Sequence, residues 1–87
     1  MFAVYILYSA TLDSYYIGMT SDLEGRLRRH NSKSRGYSSR ANDWVLRYKE
    51  EFANKTSAYD RERQIKSWKS RVMVQALISS AGPEHSD

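Results

Sequence analysis

The 87-residue chain has no cysteine, a single proline and four glycines. Without cysteine there is neither a disulfide framework nor a thiolate zinc site, so stability has to come from apolar packing. The one proline, Pro83, falls in the polar end of the chain, where residues 80–87 are expected to form a flexible tail after a single domain over 1–79. Long apolar runs are missing too. Met1–Ala10 is apolar but far too short to span a bilayer, and it lacks a basic leader and a small-residue cleavage pattern. The default is therefore a cytoplasmic protein with no membrane partner. Neither an internal repeat nor a linker is visible.

Acidic residues are absent from Gly25–Ala41, which carries Arg26, Arg28, Arg29, Lys33, Arg35 and Arg40. Elsewhere the charges nearly cancel, and the formal total is +4. Clustered cations of this kind suit phosphate groups, because they displace the counterions that nucleic acid holds. A solvated helix face followed by a loop has the same charge pattern.

What the chain has in excess is aromatic residues, with seven tyrosines and two tryptophans. Phe2–Tyr8 is aromatic, β-branched and apolar on both alternating faces, which predicts a central strand covered on both sides. Tyr15–Met19 pairs back on it as a hairpin, and Tyr5 and Tyr16 can then share a face. Ser21-Asp22-Leu23-Glu24 has the spacing of a capping box with Ser21 as the cap, so a helix is expected over about Asp22–Asn31. Gly18, just before it, lets another chain or a substrate come close to the backbone. Leu23, Leu27 and His30 form one stripe of that helix, and Arg26 lies at its margin.

Ser32–Arg40 has loop composition and is expected to face a substrate. Trp44–Phe52 alternates as a third strand with one better-buried face. A second helix is expected over about Ala58–Lys69, and its periodicity turns Glu62 inward, where an ionised carboxylate is costly unless paired or metal-bound. Val72–Ile78 predicts a last short packing helix. The fold class is thus α/β (α+β), a small three-stranded antiparallel sheet flanked by helices.

Several fragments together resemble the GIY-YIG nuclease superfamily, in particular its small bacterial single-domain branch. They are Ala3-Val4-Tyr5, Tyr16-Ile17-Gly18, Thr20-Ser21-Asp22-Leu23 with Arg26 and His30-Asn31, Trp44-x-Leu46-x-Tyr48-x-Glu50, and Arg61-Glu62-x-Gln64-Ile65-Lys66-x-Trp68. The resemblance covers roughly Phe2 to Ile78 and departs at Ala3, which stands where the name-giving glycine would be. It implies a divalent-metal-dependent endonuclease acting on DNA, structure-selective or repair-related, with RNA left open as a substrate and room for a protein partner that supplies specificity. Carried over by position, Tyr5, Tyr16, Arg26 and His30 surround the scissile phosphate, and Glu62 holds a single Mg2+ or Mn2+. Gly18, Arg29, Lys33, Arg35 and Arg40 are expected along the substrate. Tyr5 would take a proton from the attacking water if nearby cations lower its pKa from about 10.

Each of these residues also has an ordinary reading. The two tyrosines could be core rings with wet hydroxyls, and His30 a helix-end histidine. Arg26 could bridge to Glu24 and Glu62 to Lys66, while Trp68 could be core. The competing function is a nucleic-acid binding module, or repair accessory, that keeps the fold and cuts nothing.

Overall fold

The strand at the middle of the molecule is β1 (Phe2–Ser9), as its apolar residues on both faces require. The computed structural model describes residues 1–32 and 40–85, with side chains up to residue 80. β1 pairs antiparallel with β2 (Ser14–Thr20) on one side and with β3 (Val45–Phe52) on the other, giving the order β2-β1-β3. Three helices complete a small α+β fold: α1 (Leu23–His30), α2 (Lys55–Trp68) and α3 (Arg71–His85).

The two faces of β1 bury different things. Val4 and Ile6 pack with Ala58 and Ile65 of α2 and Val74 of α3, flanked by Ile17, Tyr48 and Phe52. Trp68 joins this layer, so it is a core residue. Tyr5 and Leu7 face the other way, onto Ala41 and Trp44, with Tyr16, Leu23 and Leu27 around them. Burial of this kind, at about 25 cal/mol per Å² of apolar surface, is what holds a chain without covalent staples. The second layer is the smaller one, and its buried part is aromatic, with Tyr5 and Trp44. It is also the layer that carries the site.

Local chemistry sets the helix ends. The cap of α1 is Asp22, one residue later than the expected Ser21. The Asp22 carboxylate accepts from the Gly25 amide at 3.1 Å, and its own N–H donates to Thr20 Oγ1 at 3.0 Å. A carboxylate at the helix start also meets the positive end of the helix dipole, so the acid outcompetes the neighbouring hydroxyl. Gly25 makes this possible, since a Cβ there would lie 2.2 Å from Asp22 Oδ2.

α2 begins three residues before the expected Ala58, because Asn54 caps it by accepting from the Ser57 amide at 2.8 Å. It ends at Lys69, which adopts a left-handed conformation (φ 47°, ψ 40°). α3 continues to His85, past the point where a tail was expected. Extending a formed helix needs no new nucleus, so a polar end can stay helical without an apolar stripe.

β3 is tied to α2 by charge. Arg61 donates through Nε and Nη2 to the two oxygens of Glu50, both at 3.0 Å, and the Tyr48 hydroxyl donates to Glu50 as well. This two-pronged pair fixes the turn of α2 from which Glu62 projects.

Candidate active site

The site grows out of a steric relation between β1 and β2. Tyr5 stands opposite Gly18 in the ladder, and its phenol lies across the glycine so that the hydroxyl reaches beyond the strand. Any side chain at position 18 would occupy the place of that hydroxyl. Tyr16, two residues earlier on β2, stacks beside it with ring centroids 6.3 Å apart.

α1 brings the imidazole. His30, in the last turn, is 5% exposed, and its Nε2 sits 2.9 Å from the Tyr5 hydroxyl. Its ring meets Tyr16 edge-on, with centroids 4.5 Å apart. The other ring nitrogen, Nδ1, is buried with no hydrogen-bond partner among the described residues. Buried polar atoms are seldom left that way, and such an atom is a position for water or a ligand. Arg26, one turn before His30 and half-buried, is close enough to Tyr5 to favour its ionised form, and among the described residues no ion pair joins it to Glu24. Arg29 is exposed, and with Arg26, Thr20, Ser21, Asp22 and Gly25 it lines a polar cavity of about 210 Å³ at the start of α1. That cavity has the size and the charge for a phosphate group.

The ionisation states follow from burial and from these cations. Burial pushes the Tyr5 phenol up to about 12, Tyr16 and Glu62 add to the rise, and Arg26 opposes it. The expected lowering by nearby cations is therefore overturned: removal from water outweighs one guanidinium. For His30, burial, Arg26 and Arg29 all act in one direction and hold the pKa below its ordinary 6.5. The imidazole is neutral at neutral pH.

The acid of the site is one carboxylate. Glu62, on α2, has a side chain only 14% exposed, pairs with Lys66 Nζ at 3.0 Å, and acts electrostatically on Tyr5. Both readings of Glu62 meet here, since it is turned inward and also ion-paired. Among the described residues no three or more acidic, imidazole or thiol side chains come together so as to hold a metal ion. A lone carboxylate suits a hard divalent ion that keeps most of its waters and takes a substrate oxygen, and so the donor set fits Mg2+ or Mn2+.

Of the remaining expected residues, Arg40 is described and exposed, at some remove in sequence from the helix. Lys33 and Arg35 lie outside the described residues. One residue of the site was missed. Trp44, expected in the third strand, precedes it and packs against Tyr16 (6.1 Å) and His30 (6.4 Å). It is pinned by Asn31, whose Nδ2 donates to the Trp44 carbonyl at 2.9 Å while Oδ1 accepts from the Trp44 amide at 2.7 Å. The sequence signal was the pairing of His30-Asn31 with Trp44 among the resembling fragments, though nothing local links them.

No helix among the described residues is long and apolar enough to cross a membrane. Comparison with curated proteins and with solved structures returned no match. The family model described as the GIY-YIG catalytic domain matches residues 1–75. That span contains every residue placed at the site and supports a nuclease-type function. The chain belongs to the GIY-YIG family.

Proposed function

We propose that this protein is a divalent-metal-dependent endonuclease that hydrolyses DNA phosphodiester bonds, with Tyr5, Tyr16, Arg26 and His30 around the scissile phosphate and Glu62 as the protein's metal ligand. The observation that carries this reading is the 2.9 Å contact between the Tyr5 hydroxyl and His30 Nε2, flanked by a guanidinium and a single carboxylate.

A phenol with a pKa of about 12 is not ionised at neutral pH, so Tyr5 cannot wait as a preformed base. It can relay. Arg26 only donates, which leaves the phenol's own proton for His30 Nε2, and a neutral imidazole accepts it. As the attacking water forms its bond to phosphorus, its proton moves to Tyr5 Oη while the phenolic proton moves to His30. Two short transfers replace one to a strong base. The imidazolium so formed faces Arg26 and Arg29, which disfavour it and return the proton outward. Arg26 also offsets the charge growing on the non-bridging oxygens. Tyr16 and Trp44 hold the imidazole in place. A bound divalent ion would polarise the phosphoryl group and stabilise the leaving oxygen as the P–O bond breaks.

Arg29 and Arg40, with Lys33 and Arg35 between them in sequence, supply phosphate contacts that position the strand and carry no base readout. So small a surface favours recognition of DNA structure over sequence, in a repair-related role inside the cell, with a partner protein adding specificity. The test is a panel of single-stranded, nicked, flapped and branched DNA with Mg2+ or Mn2+, comparing wild type with Glu62→Ala. Metal-dependent cuts that vanish in the variant support the reading. Binding without cleavage by either protein would favour the accessory-module alternative.

A further inference from the structure

The site contains an ion pair that the proposed chemistry does not use. Lys66 Nζ lies 3.0 Å from Glu62 Oε2, one turn along α2, and the two side chains sit in unlike surroundings, 52% and 14% exposed. An ordinary pair at this spacing lies at the surface on both ends. Here the acidic end is turned inward toward Tyr5, and the lysine reaches in from solvent to neutralise it. Among the described residues no other cation pairs with Glu62. A carboxylate with so little contact with water gains from a counter-charge, and a metal ion would compete with Lys66 for that place.

Where Lys66 goes when displaced is also legible. It lines a second cavity, of about 240 Å³, between β2 and the junction of α2 with α3, beside Ser14, Tyr15, Lys69 and Arg71. Arg71 is held there by Asp13, whereas Lys69 has no acidic partner among the described residues. A lysine released from Glu62 would therefore stand as a second uncompensated cation beside Lys69, next to the Arg71–Asp13 pair. That is unfavourable unless an anion enters the groove.

We infer that Lys66 is an internal counter-ion that neutralises Glu62 in the metal-free protein and passes to a nucleic-acid phosphate in this groove when a metal ion takes its place. The inference rests on the reading of Glu62 as the metal ligand. Its consequence is coupling: each ligand removes the obstacle to the other, so metal and nucleic acid bind cooperatively and by the same factor in both directions. Metal without DNA must leave Lys66 unpaired in a groove that already holds Lys69, and DNA without metal must draw the lysine off a carboxylate that is mostly covered.

The experiment measures Mn2+ binding to the protein alone, from the free-ion electron paramagnetic resonance signal, for wild type, Lys66→Met, Lys66→Arg, Arg63→Gln and Glu62→Gln. Arg63 lies next to Glu62, has its guanidinium over the Tyr59 ring and pairs with no acid among the described residues, so its loss controls for a general change in charge. Lys66→Met should bind Mn2+ about three- to fivefold more tightly than wild type, with Lys66→Arg and Arg63→Gln near wild type. In a Tyr5→Phe background, Mn2+ should tighten binding of a short DNA duplex, and Lys66→Met should remove most of that effect. Unchanged Mn2+ affinity in Lys66→Met, with binding lost in Glu62→Gln, overturns the inference and leaves the metal site standing. Equal tightening in Lys66→Met and Arg63→Gln overturns it as well, as does duplex binding indifferent to Mn2+. Wild-type Mn2+ affinity in Glu62→Gln would remove the metal-site reading itself.

Discussion

Tyr5 lies across Gly18 so closely that a Cβ at position 18 would fall 2.5 Å from the phenolic oxygen. The glycine is thus required by a side chain on the neighbouring strand and not by its own backbone angles. Gly18→Ala should push the phenol off His30 while leaving the sheet paired. We expect a stability loss of about 1–3 kcal/mol from overpacking and a fall in cleavage of up to about a hundredfold, the scale on which ångström misplacements act. Thermal unfolding and single-turnover cleavage measured on one preparation would separate the two effects. Wild-type cleavage in this variant would show that the Tyr5 position is not critical.

In the proposed mechanism His30 sets the pH dependence. With its pKa held below 6.5 by burial and by Arg26 and Arg29, the neutral acceptor form is lost only at acid pH. Cleavage should rise through the lowered value and stay flat across neutrality, because Tyr5 at about 12 adds no inflection there. Stability has the same sign. The unfolded imidazole takes up a proton near 6.5 and the folded one only below it, so stability is full above 6.5 and declines as pH falls through the folded value. A profile of kcat/KM against pH with one acid limb below 6.5 agrees with this; a limb at alkaline pH does not.

Arg61 holds α2 against β3 through both oxygens of Glu50, at 24% exposure on each side. Burial alone would raise the Glu50 pKa, yet the Arg61 and Tyr48 hydrogen bonds prevail and hold it below the usual carboxylate range. Arg61→Ala should cost about 1–2 kcal/mol in urea unfolding, discounted for the remaining solvent contact. It should also weaken cleavage, since Glu62 is the next residue. Full stability in the variant would mean that the pair does not anchor the helix.

The start of α1 offers a smaller test. Asp22→Ala removes the side chain that accepts from the Gly25 amide and should cost about 1 kcal/mol, whereas Ser21→Ala should cost little. Equal losses would return the cap to Ser21.

What could be read from the sequence divides along physical lines. β1 was legible because a strand buried on both faces is apolar at every position, and the inward turn of Glu62 followed from helix periodicity alone. The cap was misplaced by one residue because Thr20, Ser21 and Asp22 are all capping residues, and only the backbone angles choose among them. The packing of Trp44 against Tyr16 and His30 was not legible because its place depends on a reciprocal bond from Asn31, thirteen positions earlier. The direction of the Tyr5 shift could not be read either. Arg26 is visible in the sequence, but the depth at which the phenol is buried is a property of the packed molecule.

The most direct test of the account is cleavage of DNA by wild type and Tyr5→Phe at saturating Mg2+, with DNA binding measured alongside. The account predicts unchanged binding and a fall in the single-turnover rate of about a hundredfold or more, because the phenolic oxygen is the first acceptor of the water's proton. Cleavage at the wild-type rate by Tyr5→Phe would contradict it, and the phenol would then be a core ring whose hydroxyl happens to meet His30.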